Sequence, residues 1–192
     1  MIKRLTEDGI ISADHPMLHS ESGSRFRAFV KQDNYLASVI KAGMERGERL
    51  PDASAVWNWF GFLVENFTGK EHLIFDGSPR SVLEAQTLDT ALKFLERNKP
   101  VVIYLAISRE ESKRRLLKRA ANEGRADDGN LADIERRIDW FERDVAPALD
   151  YYRTNGDYLF LEIDGEQSRE KIHEDIFAAL EESLKPEPVV NA

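Results

Sequence analysis

A short run of residues near the middle of the chain has the composition of an anion-binding site. Asp76-Gly-Ser-Pro-Arg80 places an acidic residue at the end of an apolar run, a glycine turn after it, and an arginine at the start of a helical pattern. Such an arginine can bind a phosphate through two parallel hydrogen bonds, and Asp76 can orient Mg²⁺ through the water shell of the ion. An ordinary strand-to-helix turn with a surface arginine could have the same sequence. The segment alone therefore does not distinguish an anion site from such a turn.

A second group of residues is strongly basic and follows a helical pattern. Arginines of two helical patterns flank a glycine turn with paired aspartates; these residues are Arg114, Arg115, Arg119, Arg125, Asp127, Asp128, Arg136 and Arg137. If the two helices and the turn converge, their guanidinium groups would neutralise a polyphosphate, as phosphoryl transfer requires. A solvated face with mixed charges is the alternative, and both interpretations stay open at this point.

Buried parallel strands would position these residues. Continuous apolar runs predict strands that are covered on both faces at 72–76, 100–107 and 158–163, with a weaker candidate at 17–20. Between them, apolar residues at helical spacing predict one helix capped by Ser54, one over 81–97, one that starts at Ser108, and two more over 132–155 and 168–184. This alternation predicts an α/β fold, in which ligands bind beyond the carboxyl ends of the strands.

The composition restricts the class of protein. The 192 residues contain no cysteine and carry a formal net charge of −8, which excludes thiol catalysis and cysteine-ligated zinc and disfavours a broad nucleic-acid surface. No apolar run reaches the ~18 residues of a membrane span, and the first residues lack the apolar core of a signal peptide. We therefore expect a soluble, cytoplasmic, single-domain monomer with no nucleic-acid or membrane partner.

In combination, these segments resemble the adenylate kinases of the nucleoside monophosphate kinase family. The resemblance runs in order over nearly the whole chain and is carried by Ser22-Gly-Ser-Arg-Phe-Arg27, Gly47-Glu-Arg-Leu-Pro-Asp52, Asp76-Gly-Ser-Pro-Arg80, Arg114-Arg-Leu-Leu-Lys-Arg119 and Gly124-Arg-Ala-Asp-Asp128, and then by Pro147, Tyr151-Tyr152 and Asp164-Gly165. It implies a P-loop NTPase-like parallel sheet with flanking helices, a monophosphate-binding insert at 22–51 and a short lid at 119–136. The implied reaction transfers the γ-phosphoryl group of ATP to a nucleoside monophosphate, with AMP the expected acceptor and with ATP and Mg²⁺ as cofactors.

The resemblance also implies a role for individual residues. The acceptor would be held by Ser22, Gly23, Arg27, Leu50, Gly77, Arg80 and Glu84, with Arg27 and Arg80 on its phosphate and Leu50 near its base or sugar. On the donor side, Arg119 would contact the phosphates of ATP and Gly165 would border its adenine. Arg125 and Arg137 would bridge toward the transferring group, and Asp127 and Asp128 would close the lid. Arg80, Arg119, Arg125 and Arg137 form the implied catalytic set.

The sequence departs from the family in one large respect. It contains no Gly-x-x-x-x-Gly-Lys-Ser/Thr phosphate loop, and in Thr68-Gly-Lys-Glu71 a glutamate follows the lysine just before a predicted strand, so we interpret Gly69-Lys70 as a surface turn. The Met1–Gly9 segment instead resembles the helix that follows that loop. The first strand of the family would lie between the strands ending at Asp76 and Ile107, and without it those two strands would each have an unpaired edge.

Two explanations remain for this departure. The natural form of the protein carries the strand and the phosphate loop, or the chain is a shortened relative that serves as a non-catalytic nucleotide-binding or interaction module. Phosphate-loop N–H groups and the loop lysine supply much of the positioning in such enzymes, so enzymatic activity of this chain is left open.

Two smaller departures bear on the acceptor base. Ser78 replaces the aromatic residue of the family, and Glu84 replaces its glutamine or asparagine. A carboxylate only accepts hydrogen bonds, whereas an amide both donates and accepts. Glu84 therefore favours the N–H donors of guanine, or the exocyclic amine of adenine or cytosine, and the preferred base is left open.

Overall fold

The computed structural model of the chain describes residues 15–123 and 131–183. Its strands are β1 (Met17–Glu21), β2 (His72–Asp76), β3 (Val101–Ala106) and β4 (Leu159–Asp164). Its helices are α1 (Ser22–Phe29), α2 (Tyr35–Glu45), α3 (Asp52–Asn66), α4 (Val82–Phe94), α5 (Arg109–Glu123), α6 (Leu131–Trp140), α7 (Ala146–Thr154) and α8 (Arg169–Ser183), and a π-helical turn, Phe141–Val145, joins α6 to α7. No helix in the described ranges is long and apolar enough to cross a membrane.

The strands form two parallel pairs, and every strand lies where an apolar run predicts it. β1 pairs with β2 in the register Met17 to His72, and β3 pairs with β4 in the register Val101 to Leu159. Parallel strands need helical crossovers, and α3 and α7 serve this purpose before β2 and β4. The mixed α/β fold class predicted from the sequence is confirmed.

Helices cover the sheets and build three apolar clusters. Trp59, Leu63, Leu88 and Leu92 of α3 and α4 pack against β1 and β2. On one face of the β3–β4 pair lies α8, which contributes Ile172, Ile176, Phe177 and Leu180. On the other face, the small side chain of Ala85 lets α4 approach Ala148 and Tyr152 of α7. Because α4 joins two of these clusters, the turn at its N-terminus is held by both halves of the molecule.

The two sheets face each other across a cavity. Within the described residues, β2 pairs only with β1 and β3 pairs only with β4. Side chains of both strands, among them Leu73, Phe75, Ile103 and Leu105, line an apolar cavity of about 1290 Å³ between them. The edge expected to be unpaired on each of these strands is therefore unpaired in this part of the chain.

The sequence predicts one long helix over 132–155, and this prediction is wrong in detail. The helix is divided at the π-helical turn Phe141–Val145, which is followed by Pro147 in the first turn of α7. Proline has no N–H to donate to the carbonyl four residues earlier, so the regular ladder of hydrogen bonds is interrupted there. The acidic residue Asp144 lies within this turn.

The helix starts are set by caps, of which the sequence predicts some correctly. Ser81 caps α4 by accepting the N–H of Glu84 at 3.1 Å, and Ser108 accepts the N–H of Glu111 at 3.2 Å at the start of α5. The predicted cap Ser54 is wrong, because α3 already begins at Asp52 after Pro51. The side chain of Asp52 is thereby freed for contacts outside its own helix.

Candidate functional site

The site begins at the turn after β2, residues 76–80, which we call the signature turn. Gly77 adopts a φ of 76°, a conformation that favours glycine. Its carbonyl oxygen accepts the Nε–H of Arg80 at 2.7 Å and the hydroxyl of Ser22 at 3.0 Å. A Cβ atom at Gly77 would lie 2.9 Å from both Arg80 Nη2 and Ser22 Oγ. The absence of a side chain at Gly77 therefore lets α1 and Arg80 approach the turn together.

Next to the signature turn lies a cavity of about 220 Å³, which gathers arginines from five segments, one of them Arg49 from the turn between α2 and α3. Arg27 comes from α1, Arg80 from the signature turn, Arg119 from α5 and Arg137 from α6. The cavity wall also contains other residues that the sequence analysis singles out, namely Ser22, Gly23, Leu50, Asp76, Gly77 and Glu84. Arg125, Asp127 and Asp128 lie outside the described residues.

Carboxylates balance part of this positive charge. Arg27 Nη2 lies 3.1 Å from Glu21 Oε1, and both side chains are partly exposed. The guanidinium carbon of Arg80 lies 5.9 Å from the ring centre of Trp140, close enough for a cation–π contact. A phosphate entering the cavity would compete with Glu21 for Arg27, and it would meet Arg80 already oriented by Gly77 and Trp140.

Glu84 lies in the cavity wall, behind the signature turn, and is completely buried. Its side chain is 0 % exposed, and Oε2 accepts the backbone N–H of Arg80 at 2.7 Å. Oε1 has no hydrogen-bond partner within the described residues. Burial raises the pKa of Glu84, against the opposing effects of Arg80 and Ser78. In this conformation the carboxylate orients the backbone of Arg80 and has no exposed surface through which a base could reach it.

The opposite wall is the turn between α2 and α3, residues 46–51, which we call the insert turn. Trp140 of α6 donates its indole N–H to the carbonyl oxygen of Gly47 at 3.2 Å. Arg49 Nε donates to Asp144 Oδ2 at 3.0 Å, and its Nη1 donates to Asp52 Oδ1 at 2.6 Å. No sequence motif marks Trp140 as part of the site. Arg49 lies in the motif Gly47-Glu-Arg-Leu-Pro-Asp52, but the motif does not show its contact with Asp144, which is far away in the chain.

Gly165, which the resemblance places beside the adenine of the donor, is not among the described residues that line this cavity. It follows β4, donates its N–H to the carbonyl oxygen of Ala106 at 2.8 Å, and has no room for a side chain, because a Cβ would lie 2.6 Å from Ile107 Cγ2. Arg115 Nη2 donates to the Gly165 carbonyl oxygen at 2.5 Å. Arg115 thus links Gly165 to α5. The sequence singles out Arg115 only as one of a group of basic residues and does not predict this contact.

The acidic residue Asp76 has the exposure that a water-mediated contact with Mg²⁺ needs. Its side chain is 64 % exposed at the cavity, with His19 Nε2 at 3.6 Å. Among the described residues, no group of three or more acidic or histidine side chains is arranged to hold a metal ion directly. Since Mg²⁺ commonly keeps several waters and binds through one carboxylate and substrate phosphates, Asp76 fits an ion that arrives with a nucleotide.

The parallel α/β architecture, with a cavity of converging arginines beside the carboxyl end of β2, defines a nucleotide-binding domain of the P-loop NTPase-like class. Comparison with known proteins makes the assignment specific, because the family model described as adenylate kinase matches residues 5–157. The chain belongs to the adenylate kinase family, whose members are nucleoside monophosphate kinases that use ATP.

Individual relatives cover most of the chain. An adenylate kinase of Phocaeicola vulgatus is 31% identical over 163 residues, which is 85% of this chain and 84% of the relative. An adenylate kinase of Leifsonia xyli subsp. xyli is 32% identical over 160 residues, which is 83% of this chain and 78% of the relative. One of a Synechococcus species is 30% identical over 160 residues, covering 83% and 81% of the two chains.

Proposed function

We propose that the 220 Å³ cavity binds a nucleoside monophosphate, with AMP the preferred acceptor, and that the γ-phosphoryl group of ATP is transferred to it. The observation that carries this proposal is the convergence on one cavity of the four sequence-predicted arginines Arg27, Arg80, Arg119 and Arg137 from separate segments. Guanidinium groups bind phosphate oxygens through paired, charge-assisted hydrogen bonds. Arg27 and Arg80 would bind the acceptor phosphate, since both line the cavity together with Ser22 and Gly77.

The remaining arginines belong to the donor side of the proposed reaction. Arg119 would contact the phosphates of ATP, and Arg137 would bridge toward the transferring group, with Arg125 joining them. In the transfer, a phosphate oxygen of AMP forms a bond to the γ-phosphorus, while the bond from that phosphorus to the bridging oxygen breaks and leaves its electron pair on ADP. Positive groups on both sides of the phosphorus stabilise this charge distribution.

Mg²⁺ bound to the ATP phosphates would neutralise charge on the donor, and Asp76 would hold the ion through water. We assign residues 22–51 to a monophosphate-binding insert and 119–136 to a short lid, in which Asp127 and Asp128 take part in closure. A closed lid keeps water from competing with AMP as acceptor. Gly165 would border the donor adenine, and we propose that the protein works as a monomer in the cytoplasm.

Binding of AMP to the full chain, measured by calorimetry, tests the acceptor site. Replacing Arg80 or Arg27 with methionine should weaken AMP binding about tenfold or more, because each removes a charge-assisted hydrogen bond to phosphate. Arg25→Met is the matched control: Arg25 lies on the same helix, but its Nη1 pairs with Glu65 Oε2 at 3.0 Å, away from the cavity. Equal losses in R25M and R27M would contradict the proposed acceptor site.

A second candidate function is monophosphate binding without transfer. The 192 residues contain no Gly-x-x-x-x-Gly-Lys-Ser/Thr segment, so these residues alone would bind a monophosphate without the loop N–H groups that position donor phosphates. A coupled assay for ADP formation from ATP, Mg²⁺ and AMP separates the two candidates. ADP formation that R80M abolishes would support the kinase. Tight binding of AMP without ADP formation would support the binding module.

A further inference from the structure

The insert turn is joined to the other side of the cavity by a half-buried charge network. Arg49 reaches Asp144 in the π-helical turn, 95 residues later in the chain, while also binding Asp52 at the start of α3. The side chains of Arg49, Asp52 and Asp144 are only 21 %, 23 % and 17 % exposed. A contact between distant segments with this degree of burial is less screened than a surface ion pair.

The network continues to the signature turn. Asp52 Oδ1 also accepts the hydroxyl of Ser81 at 2.5 Å, and Ser81 is the cap of α4, one residue after Arg80. Burial alone would raise the pKa of Asp52, but its hydrogen bonds with Arg49 and Ser81 outweigh that effect and lower it. The same arginine therefore joins the insert turn, the cap beside Arg80 and the segment after α6.

We propose that Arg49 is a positioning residue which, through its ion pair with Asp144, holds the insert turn against the α6–α7 segment and so keeps the monophosphate cavity formed. The inference rests on the proposed function, because the cavity it keeps formed is the proposed AMP site. The insert turn supplies Gly47, Glu48, Arg49 and Leu50 to that cavity, and α6 supplies Arg137 and Trp140. Separation of the two would open one wall of the site.

The π-helical turn is part of this arrangement. It presents Asp144 to Arg49 on the inner side, while Arg143 binds the same carboxylate from outside with a side chain that is 71 % exposed. The hydrogen bond from Arg143, together with the charge and hydrogen bond of Arg49, lowers the pKa of Asp144. Arg143 thus touches the same carboxylate without reaching the insert, which makes it a matched control for Arg49.

A double-mutant cycle on AMP affinity tests the proposal. R49M and D144N should each weaken AMP binding about fivefold, and the double variant should bind about as well as R49M, because both remove the Arg49–Asp144 contact and R49M also removes the hydrogen bond to Asp52. R143M should stay within about twofold of the wild type, since it removes an exposed partner. R49K should bind AMP more tightly than R49M but less tightly than the wild type. Its ammonium group can pair with one carboxylate, whereas the planar guanidinium group of Arg49 pairs with Asp52 and Asp144 together.

Two results would overturn the inference. If R49M weakens binding and D144N does not, Arg49 acts directly on the nucleotide or through Asp52, and not through Asp144. If R143M weakens AMP binding as much as R49M, the loss of affinity comes from removing a positive charge near Asp144 and not from releasing the insert turn. Urea unfolding of each variant separates a loss of affinity from a loss of folding.

A readout without nucleotide keeps this test separate from that of the proposed function. The N–H groups of Gly47 and Glu48 donate to the carbonyl oxygens of Met44 and Gly43, both at 3.0 Å. In R49M and in D144N these two amides should exchange with solvent about fivefold faster than in the wild type, and in R143M they should not. If the wild type binds no monophosphate, the proposed function fails. The positioning role of the ion pair is tested separately: unchanged exchange of the two amides in R49M would overturn it, whatever the binding result.

Discussion

The hydroxyl of Ser22 donates to the carbonyl oxygen of Gly77 at 3.0 Å, which ties the first residue of α1 to the turn that carries Arg80. Two segments that are 55 residues apart in the chain thereby share one acceptor atom, since the Nε–H of Arg80 uses the same carbonyl at 2.7 Å. The backbone of Gly77 thus helps to orient Arg80, together with the contact that its guanidinium group makes with Trp140 of α6.

We predict that Gly77→Ala reduces monophosphate binding by about tenfold or more. The new methyl group would lie 2.9 Å from Arg80 Nη2 and Ser22 Oγ and would displace both. It would also add the strain of a positive φ, which costs about 1–2 kcal/mol. Calorimetric titration with AMP and urea unfolding measure the two effects separately.

The control for this variant is Gly69→Ala. Gly69 has a φ of 98° but nothing within 4 Å of an added Cβ, so the substitution introduces backbone strain without a collision. Its stability should fall while its affinity for AMP stays that of the wild type. A G69A variant that loses affinity as G77A does would show that strain alone, and not the position of Arg80, explains the result.

We predict that Glu84→Gln changes the dependence of stability on pH. Burial raises the pKa of Glu84 above its ordinary value of 4.5, so between pH 4.5 and the folded pKa the folded state binds more protons than the unfolded state. The free energy of unfolding of the wild type therefore falls as the pH rises from 4.5 past the pKa of Glu84 in the folded state. E84Q has no ionisable group at this position and lacks this decrease. Urea unfolding at about pH 5 and about pH 8 should show the advantage of E84Q growing with pH; a difference that is constant with pH would contradict the prediction.

The opposite sign is expected for Glu71→Gln. Glu71 accepts the hydroxyl of Thr68 at 2.6 Å and the N–H groups of Thr68 and Lys70, and these bonds lower its pKa from 4.5 to about 2. Its stabilising effect is present above pH 4.5 and is lost as the pH falls toward about 2. E71Q should be less stable than the wild type at neutral pH, and the two should converge in acid. A gap that persists at low pH in thermal unfolding would argue against the ionised carboxylate as the cause.

We predict uneven hydrogen exchange along β2 and β3. In the described part of the chain each strand is paired on one edge only, and alternate N–H groups of a strand point to opposite edges. Amides of Leu73–Phe75 and of Val102–Leu105 should divide into a protected set and a set that exchanges much faster. Uniform protection along either strand, measured by exchange with deuterium and NMR, would mean that another segment pairs with its second edge.

The sequence predicts the strands well because buried parallel strands leave continuous apolar runs, as at 72–76 and 101–106. It also singles out Arg27, Arg80, Arg119 and Arg137, since these lie in motifs of recognisable spacing, and the structure brings them to one cavity. Whether they act on a nucleotide stays a prediction. The sequence does not predict the tertiary contacts. The hydrogen bonds from Trp140 to Gly47 and from Arg49 to Asp144 join residues that are more than 90 positions apart, and no local pattern encodes such pairs.

The expectation for Glu84 shows a different limit. Residue type alone suggests a carboxylate that reads a base, whereas the structure buries it against the backbone N–H of Arg80. Which of two neighbours a polar side chain meets depends on how closely α4 packs, and that follows from small residues such as Ala85 on the same helix. The base preference thus remains to be measured with a panel of monophosphates.

The π-helical turn Phe141–Val145 has a consequence for how relatives of this chain should be compared. One residue more or fewer in a helix rotates everything beyond it by about 100°. Deleting a single position between Trp140 and Asp144 would therefore turn the carboxylate of Asp144 away from Arg49. A homologue needs both an acidic residue at this position and the same distance from Trp140 to form this cross-link.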